Sequence, residues 1–373
     1  TFVEATNELW RWDGSKFHLN DVENDTSAPL ALNNAAIAYD VSRQRLVVFG
    51  GATNLAGTSG ISNQLWEWAS EENLWYNRSP DQTDAGISST SNDESPAPLI
   101  NHKMIYDENR GVTVLFGGKF ADETESDELW EWDGLTWTDR TMSSEPRPSA
   151  RHTVNLSYDY HRKVVVLFGG IYYNGVHSEY LRDTWEWDGN AWTEKTVLPS
   201  PPRSYEGAMV YDHQRKYTTL LAAEAMGDDD VSFWHWNGSV WIQALPQNKP
   251  TAAVNMAISY DRERQRTVVH GGCTERLIEH CMSNNTMSDG IDQTWEWTGF
   301  LWVDKTNINQ DSPGPRFEHA LAYHEGESLT YLFGGNGATN DIWSWDGNIW
   351  SVVTPQSGDI PPPTREHAMV YDP

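Results

Sequence analysis

Residues 151–197 read RHTVNLSYDYHRKVVVLFGGIYYNGVHSEYLRDTWEWDGNAWTEKTV, and this stretch decides the fold. A short strand ends at Tyr158-Asp159. The second, Lys163 to Phe168, is β-branched and almost wholly apolar, and it runs into Gly169-Gly170. The third carries Trp185 and Trp187, whose two-residue spacing puts both rings on one face of a strand. Asp188-Gly189 then makes a tight turn into a fourth strand at Trp192.

Outward from this stretch the pattern recurs until every tryptophan is used. The chain has 20 tryptophans, and fourteen form seven Trp-x-Trp pairs: Trp10/Trp12, Trp66/Trp68, Trp130/Trp132, Trp185/Trp187, Trp234/Trp236, Trp295/Trp297 and Trp343/Trp345. The other six, Trp75, Trp137, Trp192, Trp241, Trp302 and Trp350, follow five residues after a pair, or seven at Trp75. Phe17 takes that place after Trp12. Tyr-Asp leads the repeats at Tyr39, Tyr106, Tyr158, Tyr211 and Tyr260, with Tyr323-His324 as a variant. Ten residues after each Tyr stands Phe-Gly-Gly (Phe49, Phe116, Phe168, Phe333) or its relics Leu221-Ala222-Ala223 and His270-Gly271-Gly272. Successive Tyr markers lie 67, 52, 53, 49, 63 and 48 residues apart, so rigid strands are joined by loops of variable length.

A four-stranded unit of this size cannot bury both faces alone. Stacked radially, such units bury one another's tryptophans, which predicts an all-β propeller. Each Trp takes roughly 150–250 Å² from water, and strict repetition marks these rings as core.

Composition narrows the function. The 373 residues carry 54 acidic and 26 basic side chains, a net charge of −28, with 38% hydrophobic residues. Such a chain folds, but it offers no basic face for nucleic acid or anionic lipid. No apolar run reaches the roughly 18 residues of a membrane-spanning helix.

At Tyr-Asp, Phe-Gly-Gly, Trp-x-Trp-Asp-Gly and the final Trp, the chain resembles the kelch-repeat family in its bacterial form, over essentially its whole length. The resemblance implies a seven-bladed kelch-type β-propeller of four-stranded antiparallel blades, with residues 1–373 as one domain. Six repeats span about 33–80, 100–142, 151–197, 204–246, 253–306 and 317–354. The seventh is expected to be split between 1–21 and 364–373, closing the ring with strands from both termini. Its missing second strand is expected either from Thr1 to Glu4 or from polypeptide beyond one end. Kelch propellers serve as binding platforms, scaffolds and occasionally enzymes, so the resemblance says little of function.

The cysteines, Cys273 and Cys281, share one loop and read as a local disulfide. Two free thiols, or a metal site with His280 and Glu279, are the alternatives; the pairing would place the protein outside a reducing cytoplasm: secreted, periplasmic or on a cell surface. Asn24, Asn155, Asn237 and Asn284 begin glycosylation triplets, which chance also explains.

The long insertions, 78–99, 119–128, 171–183, 224–232 and 273–293, fall on the face that carries the second-to-third and blade-to-blade loops. Function is expected there. Asn34, Asn101, Glu206, Asn255, Glu318 and Glu366 stand five residues before the Tyr of their repeats, with Val154 read at that place in the third. His102, His319 and His367 adjoin them, Arg151, Arg203, Arg316 and Arg365 lie just upstream, and Tyr205 and Phe317 add aromatic surface. This rim suits hydrogen bonding to a sugar or holding a cation. Equally, its groups can cap strand ends. The runs 122–128 and 228–230 are candidates for Ca²⁺ but lack the spacing of a dedicated calcium loop, and no other cofactor is expected.

The leading reading is a non-catalytic extracellular binding module for a glycan or protein partner, acting as a monomer or as part of a larger chain. The alternative is a carbohydrate-active oxidase, lyase or epimerase. Galactose-oxidase-type relatives bind copper through Tyr and His with one Tyr crosslinked to Cys, whereas both cysteines here share a loop. A lyase or epimerase would take His319 or His367 as base and Tyr205 as acid. The third reading is a purely structural module.

Overall fold

The computed structural model describes residues 8–20, 28–29, 32–53, 60–79, 95–203, 207–223, 231–244, 248–251, 255–273, 290–306, 311–335, 340–356, 360–364 and 367–371. Six four-stranded antiparallel sheets occupy 36–77, 103–139, 155–194, 208–244, 257–304 and 320–353, each with its strands in sequence order. They are blades one to six. First strands of successive blades lie beside one another, which makes them the inner strands around the axis. The structure is therefore a β-propeller with four-stranded blades.

Each hairpin has the register that the spacing predicts. The second Trp of a pair faces the third aromatic across the turn: Trp132 opposite Trp137, Trp187 opposite Trp192, Trp345 opposite Trp350. Trp68 still faces Trp75, because the two extra residues extend the hairpin by one pair, Ala69 with Leu74. The pairs look toward the preceding blade. Trp130, Trp132 and Trp137 pack on Val47, Phe49 and Leu65 of blade one, and Trp185, Trp187 and Trp192 pack on Val114, Phe116 and Leu129 of blade two.

Polar groups bind the same seams. The Asp of Tyr-Asp holds an Arg three residues on (Asp40 Oδ2 to Arg43 Nε, 2.7 Å). That Arg reaches the Glu inside Trp-Glu-Trp (Arg43 Nη1 to Glu67, 2.6 Å). The same Glu oxygen accepts the indole N–H of the next blade's second Trp, Trp132, at 2.8 Å. The relay recurs from Glu131 to Trp187 (2.9 Å), Glu186 to Trp236 (2.7 Å) and Glu296 to Trp345 (2.8 Å). Buried carboxylates tolerate this setting because cations and donors surround them.

The irregular repeats keep the seam by other means. In blade four His235 stands where Glu stands elsewhere, and Trp297 donates to Tyr217 Oη instead (2.9 Å). In blade six Ser344 takes the Glu position and Glu327 takes the Arg position, so the departure from Tyr-Asp at Tyr323-His324 belongs to a relay lost as a whole.

The Tyr markers link blades too. The hydroxyls of Tyr158, Tyr211, Tyr260 and Tyr323 each accept a backbone N–H from the preceding blade's inner turn, at Asn109, His161, Gln214 and Glu263 (3.2–3.3 Å).

Among the described residues the expected seventh four-stranded blade, closed by both termini, does not form. Beyond the six blades the described residues form a two-stranded hairpin, Leu9–Trp12 with Phe17–Asn20. Its Trp10, Trp12 and Phe17 pack on Tyr331, Phe333 and Ile342 of blade six, and Leu9 joins the cluster of Tyr39, Leu46 and Trp68 in blade one. Residues 367–371 carry no strand pairing, although Met369 packs on the blade-six cluster and Tyr371 Oη accepts Gly326 N–H at 3.3 Å. The physical reason is the one-strand gap. A sheet propagates only through neighbours about 4.8 Å apart, and no described second strand joins the hairpin to the C-terminal segment. Thr1 to Glu4 lies outside the described residues.

Candidate functional site

The inner strands begin on the long-loop face, and just before five of the six the chain passes through a described left-handed residue. Asn34, Asn101, Thr153, Asn255 and Glu318 all have φ between 52° and 58°. Asn adopts this conformation readily, whereas Thr and Glu do so at a cost. Backbone bonds join these positions from blade to blade: Asn101 N–H to Asn34 O (3.3 Å), Thr153 N–H to Asn101 O (3.0 Å) and Glu318 N–H to Asn255 O (3.4 Å). The axis thus has a belt of side chains held on constrained backbone, all at least partly exposed. In the third blade the position belongs to Thr153. Val154, its neighbour, is buried at 1% exposure in the seam with blade two. The signal was in the spacing, since Thr153 stands five residues before Tyr158.

The adjoining histidines are placed differently. His102 is 2% exposed, lies edge-on to Phe49 of blade one at 5.5 Å, and puts Nε2 at 3.1 Å from Phe49 O. His319 repeats this packing on His270, and His367 repeats it on Phe333, each at 5.5 Å. Phe-Gly-Gly makes the room. A Cβ on Gly50 would sit 2.7 Å from the His102 ring, and one on Gly334 would sit 2.5 Å from that of His367. Burial pushes His102 down to about 3 and His367 down to about 4, and holds His319 well below the ordinary range. These imidazoles are neutral wedges between blades.

The arginines divide. Arg316 is 5% exposed and clasps blade six through Gly334 O (3.2 Å) and both oxygens of Asp341 (3.4 Å). Arg151 makes the tighter counterpart with Asp183, at 2.6 and 2.8 Å, and with Gly169 O. Arg203 is exposed. Phe317 is buried against Cys273. Tyr205, Glu206, Arg365, Glu366 and Cys281 lie outside the described residues. The structure therefore brings Asn101, Asn255 and Glu318 together with Asn34 and Thr153 on the belt, and it sends His102, Arg316, Phe317 and His319 into the seams.

The acidic run is also engaged. Asp122 Oδ1 caps Thr124 N–H (3.0 Å), Asp127 pairs with Arg147 (2.9 Å) and Glu128 accepts the Trp130 indole (2.9 Å). Among the described residues, no three His, Cys, Asp or Glu side chains converge as a metal site. Residues 228–230 lie outside the described residues.

The two channel ends differ. On the short-turn face Tyr160 of blade three packs at a tilt on His213 (4.5 Å) and lies under Arg262 of blade five (5.9 Å), which pairs with Glu325 of blade six (2.6 Å). That mouth is covered by its own side chains. The loop-face mouth presents the amide, hydroxyl and carboxylate belt.

Comparison with known proteins finds no matching family model and no matching curated protein. What fold and site define is a class, a β-propeller with four-stranded blades, and that fold commonly serves for binding or scaffolding.

Proposed function

We propose that this kelch-type propeller is a non-catalytic binding module that engages a glycan or protein partner through the loop-face mouth of its channel. The observation that carries the reading is the belt of Asn34, Asn101, Thr153, Asn255 and Glu318, locked at positive φ around the axis. Preorganised polar side chains around a concavity bind without a large ordering cost. A catalytic base at the rim is not favoured, because His319 is buried against His270 in a seam and His367 packs on Phe333. A location outside the reducing cytoplasm, with Cys273 paired to Cys281, completes the proposal.

The test is a glycan array probed in Ca²⁺ and again in EDTA, with Asn101→Gly and Asn255→Gly beside the native chain. Glycine keeps the left-handed backbone and removes only the side chain. The expected result is a defined glycan bound by the native chain and lost in both variants, with melting temperature unchanged. Equal binding by the variants refutes the rim. No binding in either buffer removes the glycan and leaves a protein partner. Loss in EDTA alone adds a cation.

A further inference from the structure

We propose a second binding site, away from the channel: the cleft between the fifth and sixth blades, shaped for one neutral sugar unit. The cleft encloses about 320 Å³. Ligand sites begin near 300 Å³, so its occupant is a single small molecule. Blade five contributes Asp292 and Lys305, the crossing between blades contributes Asp311 and Ser312, and the hairpin of blade six contributes Asn348 and Trp350.

Lys305 is the telling residue. Three residues past the fourth-strand Trp, four blades carry a basic side chain, and three of these turn back onto the Glu of their own Trp-Glu-Trp. Arg78 meets Glu67 at 3.2 Å, Arg140 meets Glu131 at 3.0 Å and Lys195 meets Glu186 at 3.0 Å. Lys305 instead crosses the cleft and donates to Gly347 O of blade six at 3.0 Å. Its ammonium therefore belongs to the wall of the cleft. Opposite charge stands beside it: Ser312 Oγ donates to Asp292 Oδ2 at 2.5 Å and steadies that carboxylate, while Asp311 is exposed.

This mixture selects the ligand class. An anion is repelled by two carboxylates, and a cation meets the Lys305 ammonium. Vicinal hydroxyls satisfy both signs at once, donating to Asp292 and Asp311 and accepting from Lys305 and the Asn348 amide. Trp350 gives the cleft only the edge of a core ring, 7% exposed and tied through its N–H to Thr294 Oγ1 at 2.7 Å, so the polar groups carry the recognition. The site does not depend on the rim reading, since no belt residue lines it.

The experiment is saturation-transfer NMR on the full chain with the methyl glycosides of glucose, galactose and mannose, followed by affinity titration. At least one glycoside is expected to bind, with Kd raised about tenfold or more in Asp311→Asn and in Lys305→Met, as for loss of a charged hydrogen bond. No transfer from any of the three glycosides overturns the proposal, and so does equal affinity in both cleft variants. Binding lost in Asn101→Gly but kept in the cleft variants overturns the cleft and supports the rim. Asp311 is exposed, so its variant tests the site even if Lys305→Met disturbs the seam.

Discussion

Removing Glu131 tests the inter-blade relay at its most connected point. This carboxylate is 3% exposed and receives Arg110, Arg140 Nε at 3.0 Å and the Trp187 indole at 2.9 Å, so it joins blades two and three. Glu131→Ala leaves Arg110 with Asp107 alone, Arg140 without its carboxylate and an indole N–H without an acceptor. Breaking a buried ion pair from one side costs about 3–5 kcal/mol. For 373 residues unfolding as a unit, an unfolding entropy of about 2.1 cal/mol/K per residue gives about 0.8 kcal/mol/K. The expected fall in melting temperature is then about 4–6 °C, read by calorimetry. Trp187→Phe removes the same bond from the other side, at about 1.5–3 kcal/mol for a hydrogen bond to a charged group, plus the packing lost with the smaller ring. In the double variant the shared bond is lost only once, so the combined loss should fall short of the sum by about 1 kcal/mol or more. A fall below about 1 °C for Glu131→Ala, or strict additivity in the double variant, refutes the relay as a source of inter-blade stability.

Three further outcomes are expected. Burial holds His102 down to about 3 and His235 and His367 down to about 4, below the unfolded value near 6.5. The unfolded chain therefore binds more protons, and stability present above pH 6.5 is lost as pH falls toward those values; at pH 5 each such His costs about 2 kcal/mol. A pH series of melting temperatures should decline from about pH 6.5 downward, more shallowly in His102→Gln; a flat profile between pH 7 and 5 contradicts buried neutral imidazoles. Thr153 is β-branched at φ 52°, so Thr153→Asn should stabilise by about 1 kcal/mol, measured by urea unfolding, and a destabilised variant would argue against the left-handed belt. For the proposed Cys273–Cys281 bond, thiol titration of denatured protein should find no free thiol before reduction and both after it.

How much was legible follows from sequence distance. Trp132 faces Trp137 across five residues, and Asp40 meets Arg43 within one turn, so spacing alone exposes the hairpins and the turns. The acceptor of the Trp187 indole is 56 residues away in another blade, and no local pattern names it. His102 looked like rim because it adjoins Asn101. The left-handed turn at Asn101 and the glycine at position 50 instead let the ring drop against Phe49. Lys305 and Asp311 carried no motif, since their cleft exists only where two blades meet.

The sequence by itself determined the repeating four-stranded unit, its hairpins and the burial of tryptophans between stacked units, because those follow from short-range periodicity and the need to bury indole. Tertiary structure alone decided that, among the described residues, a two-stranded hairpin and not a closed seventh blade lies between the last blade and the first. It also decided which polar side chains reach the channel mouth and which fill seams. Hydrogen bonding between strands and burial between blades join segments far apart in the chain, and their outcome depends on which neighbour is present in space.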